Sequence, residues 1–398
     1  MAVTAAASVP APAAAHGGAI RAKQWHLGFL KIAEAHKFSQ GAGVTVAVID
    51  TGVADHEDLS GNVLNGVDAI KGGAGNGRGD GDGHGTGMAG LIAAHGHGSG
   101  NRDGALGIAP KAKILPVRLT IGSVTGGDVP LAAGIRWAVS HGAKIINISQ
   151  DIDGTETLRA VNEAQAAGVL IFAAAGNTDQ NDTSVSAPGR YPWAVAVAGV
   201  GKDGNRAPTS VSGAEVELSA PSVEIYSTSK GGIWRFGTGT SDSTAIASGV
   251  AALVWSKFPE LTAQEVLRRM EVTATDKGAA GRDPIYGYGV LDPVKALTAE
   301  VAPSASPTQK SPSPLPTQAS RGPQAAPDDS GNGTVLLAVA AVGGLLVLAL
   351  IGVVIFLATR SRRGPRGPQP PRGGPPPYVG TPGPPPGPSQ NWNNGPRP

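Results

Sequence analysis

Four short glycine-flanked segments carry the side chains that acyl transfer needs. They read VAVIDTGV around Asp50, HGTGMAG from His84, FAAAGN ending at Asn177 and GTS ending at Ser241. A serine hydroxyl can attack a carbonyl if a histidine takes its proton. An aspartate bonded to the far ring nitrogen holds that histidine in the useful tautomer and stabilises the imidazolium. An amide N–H can bind the oxyanion that develops. Taken singly, the signals are modest: Asp50 before Thr-Gly is a turn signal, and Asn177 closes a Gly-Asn turn. Ser243 and Ser248 also compete with Ser241. The other seven histidines lack a comparable frame. His95 and His97, in HGHGSGNRDG, suggest a metal pair, but with no nearby carboxylate or third ligand at suitable spacing they read as a solvated loop. Asp80 and Asp82 lie in a glycine-rich run that reads as a mobile loop, not a calcium site. No metal and no cofactor is expected.

The elements around these residues predict how they are held. Val44 to Ile49, Lys113 to Leu119, Lys144 to Ser149, Val169 to Ala174 and Ala194 to Val200 are short apolar or β-branched runs, with helical patterns between several of them. Leu131 to His141 and Thr157 to Ala167 read as helices, and Thr262 with Glu265 forms a capping box for another. Alternating strands and helices predict a doubly wound parallel α/β sheet with its site at the carboxyl ends of strands. Asp50 falls at such an end. His84 opens a helix in which Gly85 and Gly87 let neighbouring backbone approach. Ser241 opens a long Ala-rich helix, whose dipole and free N–H groups favour negative charge.

The order Asp, His, Ser, with 34 residues from Asp50 to His84 and 157 from His84 to Ser241, resembles that of subtilisin-type serine proteases. GIAPKAKILPVRL, GIRWAVSHGAKIINIS, YPWAVAVAGV and YGYGVLDPVKAL resemble framework segments of the same family, and the likeness covers roughly residues 40 to 298. It selects Ser241 as nucleophile, because Gly249 and Leu253 stand eight and twelve residues later as the family pattern requires. It implies a catalytic triad of Asp50, His84 and Ser241, with Asn177 and the Ser241 N–H forming an oxyanion hole. It also implies a primary specificity pocket from Ser149, Gln150 and Asp151 with Ala174 and Gly176 on the facing strand. Asp151 there either favours a basic or polar substrate side chain or points to solvent. The chain departs from the family after the nucleophile: Asp242, Ser243 and Ala245 replace the usual Met or Phe, Ala, and Pro. An acid in the first helical turn suits the dipole and can raise the histidine pKa, and a first-turn proline is permitted but not required.

Within that family, QWHLGFLKIAEAHKFSQGAGVTVAVIDTGV and the carboxy-terminal architecture resemble the mycosins, membrane-anchored serine proteases associated with type VII secretion in actinobacteria. That resemblance implies polypeptide substrates, association with the secretion complex, and a lead segment that wraps the catalytic domain. The lead of about 25 residues is shorter than the ~50 of a folded domain, so a separate prodomain is not expected.

Composition completes the organisation. Residues 1–15 resemble the end of a signal peptide, although no Lys or Arg precedes Arg21, so the start reads as truncated or the signal as unusual. Residues 16–42 are an extension, 43–300 the peptidase domain, 301–334 a Pro/Ser/Ala-rich linker and 359–398 a basic Pro/Gly-rich tail. Between linker and tail, residues 335–358 are 24 uncharged, mostly apolar residues, ~36 Å as a helix against a hydrocarbon core of ~30 Å. This predicts one C-terminal transmembrane helix. Arg360, Arg362, Arg363 and Arg366 beyond it predict a cytoplasmic tail and an extracytoplasmic catalytic domain. A net charge of +2 without a basic folded face argues against nucleic acid. The absence of cysteine excludes disulfides and a cysteine nucleophile. A structural or scaffolding subunit of a secretion complex, with little or no proteolytic role, is the alternative to an endopeptidase.

Overall fold

A computed structural model describes residues 17–71, 75–121 and 124–302. The expected signal-like segment, the span at 335–358 and the tail lie outside the described residues, as does all of the linker beyond residue 302. Among the described residues, no helix is long and apolar enough to cross a membrane.

The strands are β1 (Thr45–Asp50), β2 (Val67–Asp68), β3 (His95–His97), β4 (Asp103–Leu106), β5 (Lys113–Arg118), β6 (Thr120–Ile121), β7 (Val124–Thr125), β8 (Ile145–Ile148), β9 (Leu170–Ala174), β10 (Ala194–Val200), β11 (Val216–Pro221), β12 (Ile225–Thr228) and β13 (Trp234–Gly237). The helices are α1 (Gly17–Lys23), α2 (Trp25–Phe29), α3 (Ile32–Ala35), α4 (His84–Ala93), α5 (Asp128–Ser140), α6 (Thr155–Ala166), α7 (Thr240–Lys257), α8 (Ala263–Thr273) and α9 (Pro293–Thr298).

Seven strands form one parallel sheet in the order β11-β10-β9-β8-β1-β5-β2. The chain leaves β1 toward β5 on one side, then builds outward through β8, β9, β10 and β11 on the other. The order therefore reverses between β1 and β8, and the crevice at the carboxyl ends of strands at such a point is where open α/β sheets place their sites.

Helices cover both faces, which is why the strands read as nearly continuous apolar runs. Along β1, Val46 and Val48 enter a core built with Met88, Leu91 and Ile92 of α4 and Val250, Leu253 and Val254 of α7. The alternate residues Ala47 and Ile49 enter a second core with Leu131 and Ile135 of α5 and Ala160 and Val161 of α6. The period-2 alternation of one strand thus joins two helical layers.

Helix α7 is buried over most of its length, and its small residues let it lie close beneath the sheet. A Cβ at Gly249 would sit 2.6 Å from Cβ of Ile108, which explains the glycine. The helix begins at Thr240, so Ala245 lies in its second turn and not, as expected, in its first. The expected capping box of Thr262 and Glu265 opens α8.

The lead segment is docked on the domain. Gln24 Nε2 donates to the carbonyls of Leu106 and Tyr226 at 3.0 and 3.1 Å, and Trp25 Nε1 to that of Val223 at 2.9 Å.

Candidate active site

Asp50 ends β1 and is fully buried. Its Oδ1 accepts the Thr51 N–H at 2.7 Å and faces Nδ1 of His84 at 2.8 Å, with Oδ2 at 3.0 Å from the same nitrogen. This fixes Nδ1 as the side of the ring turned inward and leaves Nε2 for the cleft. Burial works against the His84 imidazolium, but the charge and hydrogen bond of Asp50 outweigh it, and the pKa stands above the ordinary imidazole value. Arg235 lowers it and Asp242 raises it by smaller amounts.

The turn before α4, which composition reads as a mobile loop, is organised by Asp80. Its Oδ1 accepts from Thr51 Oγ1, the Asp82 N–H and the Gly83 N–H at 2.9, 3.0 and 2.7 Å, and Oδ2 from the Thr86 N–H and Oγ1 at 3.0 and 2.6 Å. Burial opposes the charged carboxylate, yet donors from Thr86, Gly83 and Thr51 hold its pKa below the usual range. Thr51 in turn accepts the Gly85 N–H at 2.9 Å. A side chain on Gly85 would collide with the carbonyl of Gly52, so the close approach expected of that glycine is real.

Ser241 is half-buried at the start of α7 and lines the same cleft as His84. Its two competitors do not. Ser243 and Ser248 are fully buried; the Ser243 hydroxyl donates to the carbonyls of Ala220 and Pro221 at 2.9 and 3.2 Å, and that of Ser248 to Asn147 Oδ1 at 3.2 Å. Among the described residues no hydrogen bond joins Ser241 Oγ to His84; such contacts often tighten only when substrate binds.

Asn177 follows the loop that leaves β9. Its Oδ1 accepts the Thr240 N–H at 2.9 Å and Thr240 Oγ1 at 3.3 Å, and its own N–H donates to Asp182 Oδ2 at 2.7 Å. The amide is thereby oriented with oxygen inward, and Nδ2 is the group left for the cleft that Asn177 lines with Ser241. Thr240 and Asp182 were not singled out in the sequence; Thr240 stands one residue before the nucleophile candidate.

Ser149, Gln150, Asp151, Ala174 and Gly176 all line this cleft, joined by Gln180, Asp182 and Ser186. The strands that carry them are hydrogen-bonded neighbours in one sheet. Gly176 has φ +110°, and a Cβ there would press on Ser186 Oγ and Asp182 Oδ2 at 2.8 and 2.9 Å, so a larger residue would close this end of the cleft.

Two clusters escaped the sequence reading. His95 and His97 lie on β3, paired with β4, and Nδ1 of His97 is 2.6 Å from Oδ1 of the fully buried Asp58. A carboxylate 39 residues away in sequence is therefore close in space. Asp58 Oδ2 also accepts the Ala105 N–H at 2.7 Å and Trp234 Nε1 at 2.8 Å. Among the described residues no group of three or more His, Cys, Asp or Glu side chains could hold a metal ion. The second cluster pairs Asp242, next to Ser241, with Arg235 of β13.

A parallel sheet whose reversal point gathers an Asp-His pair, a helix-opening serine and a preoriented amide defines an α/β serine protease. Residues 41–289 match the Subtilase family (Peptidase S8), and the chain belongs to that family, as a serine-type endopeptidase. It is 38% identical over 270 residues to the thermostable alkaline protease of Halalkalibacterium halodurans, covering 67% of this chain and 71% of the relative. It is also similar to the crystal structure of MycP1 from Mycobacterium smegmatis, with TM-score 0.63 and 32% identity, covering 73% of this chain and 89% of that one. The MycP3 protease from the type VII (ESX-3) secretion system is likewise similar, with TM-score 0.60 and 32% identity over 69% of this chain and 88% of its own.

Proposed function

We propose that this subtilase is a membrane-anchored, extracytoplasmic endopeptidase associated with type VII secretion, using Ser241 as nucleophile, His84 as general base and acid, and Asp50 to hold and charge-stabilise His84. Ser241 Oγ attacks the scissile carbonyl while His84 Nε2 takes its proton. The oxyanion is met by the Ser241 N–H at the start of α7 and by Asn177 Nδ2. His84 then returns the proton to the leaving amine, and water repeats the sequence on the acyl-enzyme. The observation that carries this reading is the contact of His84 Nδ1 with both oxygens of the buried Asp50 carboxylate, beside the cleft that Ser241 and Asn177 share.

The structural likeness to MycP1 and MycP3 supports the secretion setting. The uncharged run at 335–358, followed by four arginines, supports the anchor and its orientation. The substrates are polypeptides, with the primary side chain received near Ser149, Gln150, Asp151, Ala174 and Gly176.

A fluorophosphonate probe, which reacts with activated serines, tests the chemistry on membranes carrying the wild type or Ser241→Ala. Labelling of wild type alone is expected. Labelling of neither, with the protein folded and exported, rejects the triad and leaves the scaffolding role.

A further inference from the structure

Asp242 is the side chain directly after Ser241, and it is 1% exposed. Its Oδ1 lies 3.3 Å from Nη2 of Arg235, on the hairpin strand β13. The Arg235 side chain is 21% exposed, and its Nη1 is buried. A Cβ at Gly87 in α4 would sit 2.6 Å from its Nη1, and one at Gly237 would collide with its Nη2 and lie 3.2 Å from Asp242 Oδ2. Two glycines on separate elements thus leave the space the pair fills. Arg235 Nη1 is buried with no hydrogen-bond partner, so Asp242 is the group that compensates this cation.

We propose that Arg235 and Asp242 are positioning residues for this active site: as a pair they tie β13 to the start of α7 and to α4, and so fix the nucleophile and the base relative to one another. The proposal rests on Ser241 and His84 holding those two roles. Either charge alone in this slot is costly, whereas a matched or wholly apolar pair is not. The pair therefore has to be kept or lost together.

The same geometry places the pair's field on His84. Asp50 faces the ring from β1; the charged groups on the backbone before it are Asp82, whose Oδ1 accepts the His84 N–H, Asp80, which accepts the Gly83 N–H, and Lys230, whose Nζ donates to the Gly81 carbonyl. None of these changes when residue 235 or 242 is replaced. Burial raises the Asp242 carboxyl, with Arg235 and His84 opposing the rise. Asp242→Asn leaves the Arg235 cation uncompensated beside His84 and should lower the histidine's pKa. Removing Arg235 as well should restore it.

The test uses the full-length protein as wild type, Asp242→Asn, Asp242→Met, Arg235→Met and Arg235→Met/Asp242→Met, with kcat/KM followed against pH on a peptide substrate and Tm measured on the same samples, the two Met singles and their double forming the additivity cycle. The acid limb of Asp242→Asn should move to lower pH, because the Arg235 charge that opposes the His84 imidazolium is no longer offset, with a lower kcat and Tm. The double variant should bring the limb back toward wild type and melt above Asp242→Asn. An Asp242→Asn enzyme that is folded, with an unmoved limb, overturns the proposal, as does a double variant whose Tm loss equals the sum of the single losses. Should Asp242→Asn fail to fold, recovery of a folded, active double variant supports the pair and its failure overturns it. If the wild type itself neither cleaves nor takes the fluorophosphonate, the triad assignment has failed, and the Tm cycle alone still decides whether residues 235 and 242 are coupled.

Discussion

Replacing Asn177 by Ala and by Asp separates two jobs that this side chain holds at once. Its Oδ1 accepts from Thr240, and its Nδ2 is the donor left for the cleft. Asn177→Ala removes both. The lost donor should lower kcat by about 10² to 10³, the size known for the oxyanion-hole amide in subtilisin, equivalent to roughly 2.7–4 kcal/mol of transition-state stabilisation. The lost acceptor leaves the buried Thr240 N–H unpaired, costing roughly 1–3 kcal/mol of stability. Asn177→Asp keeps the acceptor, and an anion at the start of α7 is favoured by the helix dipole, so its Tm should stay near wild type. Its carboxylate would nonetheless face the developing oxyanion, so its kcat should fall at least as far as that of Asn177→Ala. Steady-state kcat and KM on a peptide anilide, with Tm on the same preparations, read the two effects apart. If Asn177 served only as a turn residue supporting Thr240, Asn177→Asp would turn over within about threefold of wild type, and the donor role would be wrong.

Four further outcomes follow from the geometry. The acid limb of kcat/KM should have its midpoint above ~6.5, the ordinary imidazole pKa, because Asp50 raises His84 and only the neutral ring acts as base; Asp50→Asn should move it down and lower kcat about 10⁴-fold, and a wild-type midpoint below that value refutes the coupling. Gly249→Ala pushes a methyl against Ile108, a cost of roughly 1–3 kcal/mol for overpacking set against about 1 kcal/mol of helix propensity gained, so chemical denaturation should show a net loss and not the usual gain of Gly→Ala in a helix. Asp58→Ala orphans the Ala105 N–H and Trp234 Nε1 and should cost roughly 3–5 kcal/mol. Asp58 also raises the His97 pKa through its hydrogen bond, so the stability from that contact is full below the unfolded imidazole value and fades as pH rises through the folded one. A Tm difference between wild type and His97→Ala that is flat from pH 5 to 9 would contradict it.

The sequence showed what local chemistry shows. Asp50 could be placed at a strand end because VTVAVI precedes it, and His84 and Ser241 at helix starts because Gly-rich turns precede them. Choosing Ser241 over Ser243 and Ser248 needed the family pattern; in the structure the other two hydroxyls are engaged by Ala220, Pro221 and Asn147, none of them near in sequence. Asp242 read as an acid compatible with the dipole and able to raise the histidine pKa, but its burial could not be read, since the Arg235 it meets comes from β13. His97 read as solvated for the same reason, its partner Asp58 being brought up by β3 and β4. The edge strands β2 and β11 and the hairpin β12–β13 went unseen because their short runs gain meaning only from the strands and helices they meet.

That hairpin bears directly on how a poor helix sequence holds the base. HGTGMAG has three glycines in seven residues, each about 1 kcal/mol less favourable than alanine in a helix. Yet each glycine has a reason in its neighbours: Gly85 meets the Gly52 carbonyl, Gly87 the Arg235 guanidinium, and Gly90 the hydroxyl of Thr228. The hairpin offsets the lost propensity by binding the helix from outside, with Ser227 Oγ donating to the Gly87 carbonyl and Thr228 Oγ1 to that of Thr86, both at 2.7 Å. Two successive residues of β13, Trp234 and Arg235, then reach the buried carboxylates Asp58 and Asp242. One side of this helix start is therefore held through Asp80 and the other through β12 and β13. His84 owes its position to that clamp of hydroxyls and paired charges more than to any helical preference of its own segment.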